Sequence, residues 1–206
     1  MNAAARADAA TGARSAAARD VDAAVGMTIL LGAWVMLFAA LFLAYGVVRV
    51  QANEWPPYGA PPLPLALPGL NTLLLLGSSA VLRRSLARAR RGDAAGLLPA
   101  TVVATLLGLA FLGAQIAIWR SMIARGLFPG SGVYGSVFYA LTGFHALHVA
   151  GGVLALALLG VQTARASRRE RRAQQRAPVR ALRLTALYWD FVAIVWVAMY
   201  LAVYWL

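Results

Sequence analysis

At residues 134–149 the chain has the sequence YGSVFYALTGFHALHV, which lies inside an apolar stretch long enough to cross a membrane. It contains His145 and His148, the only two histidines of the protein. Residues three apart on a helix lie about 60° apart around its axis, so both imidazoles are expected on one face. Burying two imidazoles in hydrocarbon is costly. We therefore expect this face to meet a neighbouring helix, a lipid headgroup or another subunit.

The composition places the protein in a membrane. Of its 206 residues, 61% are apolar and only 13% are charged, and the mean hydropathy is +0.69. A water-soluble domain of this size would have too little polar surface to cover its apolar residues. The chain has no cysteine, which excludes disulfides, thiolate metal sites and thiol catalysis.

Hydropathy predicts an all-α integral membrane bundle of five transmembrane helices, formed by residues 25–206. The predicted spans are residues 25–48, 63–82, 97–118, 133–161 and 184–206. Pro64 and Pro68 are expected to delay the regular part of the second helix to about Asn71. Residues 1–24 are rich in Ala and Arg without an apolar stripe, and we predict that they form a flexible cytoplasmic tail.

The basic residues predict the orientation. All nineteen are arginines, and sixteen of them lie before the first span, after the second, or between the fourth and fifth. Only Arg49, Arg120 and Arg125 lie on the other side. The N-terminus is therefore predicted in the cytoplasm and the C-terminus outside, in the periplasm. The net charge of +12 follows from this topology. Nucleic acid is a poor partner because the arginines lie in short loops without interleaved aromatic residues.

The spans carry too few ligands for a metal or haem site of their own. They contain two histidines, one carboxylate, Asp190, and no cysteine, whereas a redox centre needs several ligands converging on one point. We expect no catalytic residue and no bound cofactor or metal in this chain.

The candidate functional residues are therefore contact groups or proton-related groups: His145, His148, Asp190, Asn71 and Gly151. Gly151 forms a small-xxx-small pair with Ala155, and such a pair favours the close approach of a neighbouring helix. Gly151 is therefore a candidate for contact with lipid or with another subunit. The polar side chains in the spans are predicted to form interhelical hydrogen bonds: Asn71, Thr72, Gln115 and Thr142. Asp190 is either functional or a residue near the interface.

Four stretches carry a resemblance to a known family. They are Gly26-Met27 with residues 35–38, Trp55-Pro56-Pro57 followed by residues 70–72, residues 133–149, and residues 188–205 with their Tyr-Trp pairs at both ends. In this order and with these loop lengths, the chain from Gly26 onward resembles subunit III of haem-copper terminal oxidases, the cytochrome c oxidase family, in its five-helix bacterial form.

The resemblance implies a non-catalytic subunit of the inner, or plasma, membrane that acts in aerobic electron transport. Such a subunit packs beside subunit I, which carries the haem and copper, with subunit II as a second candidate partner. It has no redox centre of its own, binds phospholipid, and supports proton uptake and turnover stability in a proton-translocating complex.

Three departures from the family pattern concern carboxylates. Trp34 occupies the acidic position of the first span, Ile118 stands where the third span usually has Glu, and Asp190 and Ala193 replace the His and Asp of the last span. The proton-related role that depends on those acids is not carried over. If the acid has moved to Asp190, its replacement by Asn should slow turnover, most visibly at high pH.

Two other functions remain open at this point. A subunit III-like component of a nitric oxide reductase would fit the same resemblance. An independent membrane transporter is a second alternative, but transporters commonly show paired halves or broken helices. Five spans without an internal repeat favour the accessory subunit.

Overall fold

The computed structural model describes residues 3–93, 95–168 and 176–205, and within these ranges it contains helices and no strand. The helices are α1 (Ala3–Gln51), α2 (Ala66–Arg90), α3 (Leu97–Ala124), α4 (Val133–Arg168) and α5 (Arg176–Tyr200), and α5 continues into a π-helical turn at Leu201–Trp205. All five helices contain a segment long and apolar enough to cross a membrane. The all-α fold with five spanning helices is confirmed.

Helix α2 differs from its sequence-based boundaries at both ends. It begins at Ala66, five residues before Asn71, because Pro68 lies in the first turn, where its missing N–H has no intrahelical partner to lose. It ends at Arg90 rather than near Leu82. The additional turns carry arginines, which are good helix formers whose long side chains reach polar surroundings from a helix end.

The chain divides into two compact units, Met1–Ala39 and Ala40–Leu206. In the first unit, α1 is helical from Ala3, so the helix includes most of the region predicted as a tail. Alanine has the highest helix propensity of all residues, and this region is rich in it. Further along the same unit the apolar side chains are largely exposed, among them Val25, Ile29 and Met36.

In the second unit, α2 to α5 form a bundle in which each helix packs against the next and α5 returns to α2. The loops after α2 and α3 are short, which makes neighbouring helices antiparallel. The end of α2 and the start of α3 therefore lie together with the end of α4. We call this the arginine-rich end, because it carries Arg83 to Arg91 and Arg165. The core contains large buried side chains, including Phe111, Phe138, Trp189 and Trp196.

Aromatic side chains pack together at the opposite, arginine-poor end of the bundle. The Tyr45 hydroxyl donates to the carbonyl of Ala202 at 2.9 Å, which ties the end of α1 to the π-helical turn. Trp55 packs edge-on against Tyr45 and Tyr134, with ring centroids 5.6 and 4.9 Å away. The proline-rich segment after α1 is thereby held against the start of α4.

Candidate functional site: the polar interior of the bundle

His145 lies in the centre of the bundle and is completely buried. Its imidazole contacts the ring of Phe111 from α3, with centroids 5.8 Å apart, and the indole of Trp196 from α5 at 5.3 Å. Phe111 and Trp196 also pack edge to face at 4.8 Å. Three helices therefore meet around one imidazole, and aromatic pairs of this kind add stability beyond the area they bury.

Two threonines link neighbouring helices through tryptophan indoles. Trp196 donates its Nε1–H to Thr72 of α2 at 2.9 Å, and Trp119 of α3 donates to Thr142 of α4 at 3.1 Å. Each threonine hydroxyl in turn donates to a carbonyl of its own helix, at Pro68 and Phe138 respectively. The two predicted interhelical hydrogen bonds are therefore present, with tryptophans as the donors.

Asn71 is buried without such a partner. Its side chain is 0% exposed, and its amide atoms make no hydrogen bond to other described residues. The prediction of an interhelical hydrogen bond is therefore wrong for Asn71, whereas the buried Gln115 interacts with the Tyr204 hydroxyl. In a chain of helices packed by aromatic and aliphatic side chains, the neighbours of a buried amide are decided by helix rotation, which sequence spacing alone does not give.

His148 also faces the bundle. Its Nδ1 donates to the carbonyl of Phe144 at 2.6 Å, and its own backbone carbonyl accepts a hydrogen bond from the Tyr188 hydroxyl at 2.8 Å. Both histidine side chains are thus on the inner side of α4. Phe144 and Leu147, which alternate with them, are exposed. Contact of this part of α4 with lipid or another subunit would therefore involve Phe144 and Leu147 rather than the imidazoles.

The indole of Trp189 occupies a slot made by two glycines. A Cβ atom at Gly152 of α4 would lie 2.6 Å from Trp189 Cζ3, and one at Gly108 of α3 would lie 2.8 Å from Trp189 Cη2. The indole is completely buried and donates to Ser78 of α2 at 2.7 Å. Trp189 thus joins all four helices of the bundle. The sequence analysis selected neither Gly152 nor Gly108. The adjacent glycines at positions 151 and 152 are the sequence signal that could have indicated close packing here.

Gly151 itself lies on the exposed side of α4. A Cβ there would meet only the Tyr188 hydroxyl, at 3.8 Å, which is an ordinary van der Waals distance. Successive residues of a helix are rotated by about 100°, so the two neighbouring glycines serve different surfaces. Gly152 belongs to the interior, and Gly151 remains available for contact outside the bundle.

Asp190 joins α5 to α2. One carboxylate oxygen accepts a hydrogen bond from the Ser79 hydroxyl at 2.6 Å, and the other lies 2.8 Å from the Arg83 guanidinium. The aspartate side chain is 14% exposed and the arginine side chain 66%. The arginine therefore reaches the carboxylate from the outside of the bundle, near its arginine-rich end.

The described residues contain no group of three or more His, Cys, Asp or Glu side chains placed to hold a metal ion. Trp34 is partly exposed, and Ile118 and Ala193 are buried apolar residues. The three positions at which the resemblance implied acids therefore bring no carboxylate into the bundle. The polar groups described above connect the helices of the bundle to one another.

Comparisons with known proteins identify the family of this membrane protein. The family described as Cytochrome c oxidase subunit III matches residues 6–206. A probable cytochrome c oxidase subunit 3 of Mycobacterium tuberculosis is 38% identical over 185 residues, covering 87% of this chain and 86% of the relative. A cytochrome c oxidase subunit 3 of Synechocystis sp. is 34% identical over 179 residues, covering 87% of this chain and 73% of the relative.

The chain belongs to the cytochrome c oxidase subunit III family. Its resemblance to subunit III of the haem-copper oxidases is confirmed. The family and the names of its relatives support an accessory subunit of a haem-copper oxidase and do not favour a nitric oxide reductase component or an independent transporter.

Proposed function

We propose that this protein is a non-catalytic accessory subunit of a respiratory cytochrome c oxidase in the bacterial plasma membrane. It packs beside the subunit I that carries haem and copper, with subunit II as a second candidate neighbour, binds phospholipid, and supports proton uptake and turnover stability. The observation that carries the proposal is that the interior polar side chains form hydrogen bonds between helices. They connect helices α2 to α5, while the outer surface presents apolar side chains for lipid and protein contact.

Gly151 is our candidate for contact with a neighbouring subunit. It lies on the exposed side of α4 together with Leu147 and Leu154, which are 67% and 61% exposed. In a membrane, a glycine among larger apolar side chains lets another helix approach closely. The proposed interface therefore includes this part of α4.

A purification from native membranes tests both proposals. With an affinity tag on this chain, we expect a larger subunit to co-purify in stoichiometric amount with haem and copper, whereas the chain expressed without partners shows no haem absorption band.

Gly151→Leu should reduce the amount of the co-purifying subunit, because leucine prevents the close approach of a neighbouring helix. Gly113→Leu is the matched control, since Gly113 is an exposed helical glycine with open space around it. A stoichiometric haem on the isolated chain would contradict the proposed function, and equal effects of both substitutions would contradict the interface.

The proposed orientation places the arginine-rich end in the cytoplasm and the C-terminus in the periplasm. Because the chain has no cysteine, single cysteines can report this directly. We expect a membrane-impermeant thiol reagent to label Asn53→Cys, in the exposed loop after α1, in cells with a permeable outer envelope. Ala95→Cys, in the exposed loop before α3, should be labelled only after the inner membrane is opened. The reverse pattern would overturn the orientation.

A further inference from the structure

We propose that an internal water molecule binds the side-chain amide of Asn71 in the interior of the bundle. Asn71 is 0% exposed, and neither polar atom of its amide has a hydrogen-bond partner among the described residues. A primary amide offers two N–H donors and an oxygen that accepts two hydrogen bonds. In folded proteins, the large majority of buried polar groups are bonded to a protein group or to an ordered water. This water site is a property of the bundle and does not depend on the proposed role in an oxidase.

The aromatic cluster of His145, Phe111 and Trp196 fixes the position of Asn71. The Trp196 indole contacts the imidazole, with ring centroids 5.3 Å apart, and donates to the Thr72 hydroxyl at 2.9 Å. Asn71 directly precedes Thr72, and it is buried whereas Thr72 is only half-buried. The amide therefore lies on the interior side of α2, one residue, or about 1.5 Å along the helix axis, from the contact between α2 and Trp196.

Two further buried polar side chains lie around the same cluster and can complete the hydrogen bonds of a water. Gln115 follows Phe111 by four residues on one face of α3, and Phe111 contacts both other rings of the aromatic cluster. Gln115 is 1% exposed and His145 is 0% exposed. The Gln115 amide interacts with the Tyr204 hydroxyl, which engages only part of the hydrogen-bonding capacity of an amide. Polar side chains of α2, α3 and α4 therefore surround the cluster.

The complete burial of Asn71 selects water over larger ligands. A lipid chain or a partner's side chain approaches from outside the bundle, where Asn71 has no accessible surface. An ion would need a compensating charge, which the amides of Asn71 and Gln115 do not carry. A buried water typically makes about three hydrogen bonds to polar groups that would otherwise be unsatisfied. Water can donate to the amide oxygen and accept from the amide N–H, so it is the small neutral ligand that suits both.

The experiment is a density map of the complex purified from native membranes, at a resolution that shows ordered water. We expect a water about 2.7–3.2 Å from Oδ1 or Nδ2 of Asn71. Asn71→Leu, a change that keeps a similar shape, should remove this water, because leucine offers it no hydrogen bond. Thr72→Val is the matched control. The Thr72 hydroxyl is already bonded to the Trp196 indole and the Pro68 carbonyl, so its loss should leave the water in place.

Three results of these maps would overturn the proposal. The first is a wild-type map in which the Asn71 amide bonds directly to another protein group or has no water beside it. The second is a water that persists in Asn71→Leu, since its ligands would then be other groups. The third is a water that disappears in Thr72→Val but stays in Asn71→Leu, which would assign it to the threonine.

Thermal unfolding gives a second readout of the same site. If the amide were buried without any partner, its replacement by leucine would remove the penalty of an unsatisfied polar group and raise the Tm. With the water bound, this penalty is absent, so we expect the Tm of Asn71→Leu to be unchanged or lower. Thr72→Val should lower the Tm, because it leaves the Trp196 N–H without its acceptor. A Tm of Asn71→Leu above that of the wild-type protein would contradict the water site.

Discussion

Replacing Gly152 by alanine is expected to destabilise the bundle, because the added methyl group would overpack the interior around Trp189. The new Cβ would lie 2.6 and 2.7 Å from two ring atoms of Trp189 and 3.0 Å from Tyr188 Cε1. The indole cannot yield easily, because it is completely buried and its Nε1–H is bonded to Ser78. Overpacking of a close-packed interior costs about 1–3 kcal/mol.

The measurement is the midpoint of thermal unfolding of the purified complex, followed by the loss of the monodisperse peak in size-exclusion chromatography. For a chain of this size, we expect Gly152→Ala to lower the Tm by about 2–10 °C. Gly113→Ala is the matched control, since nothing lies within 4 Å of its added Cβ. An unchanged Tm in Gly152→Ala would show that the indole can move and that the glycine slot does not determine the packing.

A second substitution tests the mechanism of this effect. Trp189→Phe shortens the ring that meets the new methyl group but loses the hydrogen bond to Ser78. Combined with Gly152→Ala, it should cost less than the sum of the two single changes, because one change relieves the clash caused by the other. Additive losses would indicate that the two residues act independently.

The slot around Trp189 also shows where sequence analysis stops. Hydropathy and length predicted the five spans, since a membrane requires about 20 apolar residues in each helix. The spacing of small residues directed attention to Gly151, because it pairs with Ala155. Which of two adjacent glycines faces the interior depends on the rotation of α4 against α5, which no local pattern specifies.

The same limit applies to the polar residues. Sequence spacing correctly predicted that His145 and His148 share one side of α4. The partners of Thr72 and Thr142 are tryptophans far along the chain, at positions that a helix pattern assigns to the apolar core. Their hydrogen bonds depend on tertiary packing and could not be assigned from sequence.

The second large expected effect concerns the ion pair between Asp190 and Arg83. We expect Arg83→Ala to destabilise the protein more than Asp190→Asn. Without Arg83, the carboxylate stays 14% exposed within the membrane-spanning part and loses its cation, retaining the hydrogen bond from Ser79. Without the carboxylate charge, Arg83 remains 66% exposed and can extend its side chain to the headgroup region. Asparagine still accepts the Ser79 hydrogen bond.

Breaking a fully buried pair by removing one partner costs about 3–5 kcal/mol, and the partial exposure of this pair reduces that figure to about 2 kcal/mol for Arg83→Ala. Thermal unfolding of the purified complex measures the difference, with Arg84→Ala, an exposed arginine on the same helix, as the control. The double variant Arg83→Ala with Asp190→Asn should recover most of the lost stability, because no unpaired carboxylate remains. If Asp190→Asn lowered the thermal stability more than Arg83→Ala, pairing with Arg83 would not explain why the chain has an acid at position 190.

Oxidase turnover separates this structural role from a proton-related role, for which the sequence analysis made Asp190 a candidate. A carboxylate that only joins α5 to α2 predicts that Asp190→Asn changes turnover and active lifetime in proportion to stability, at every pH. A carboxylate that also supports proton uptake predicts a slower rate that is most visible at alkaline pH, where protons are scarce, in a variant that still assembles. We expect the alkaline loss, measured as steady-state oxygen consumption of the complex from neutral to alkaline pH. Wild-type turnover and lifetime across this range would restrict Asp190 to its contacts with Ser79 and Arg83, and this subunit would then act by packing alone.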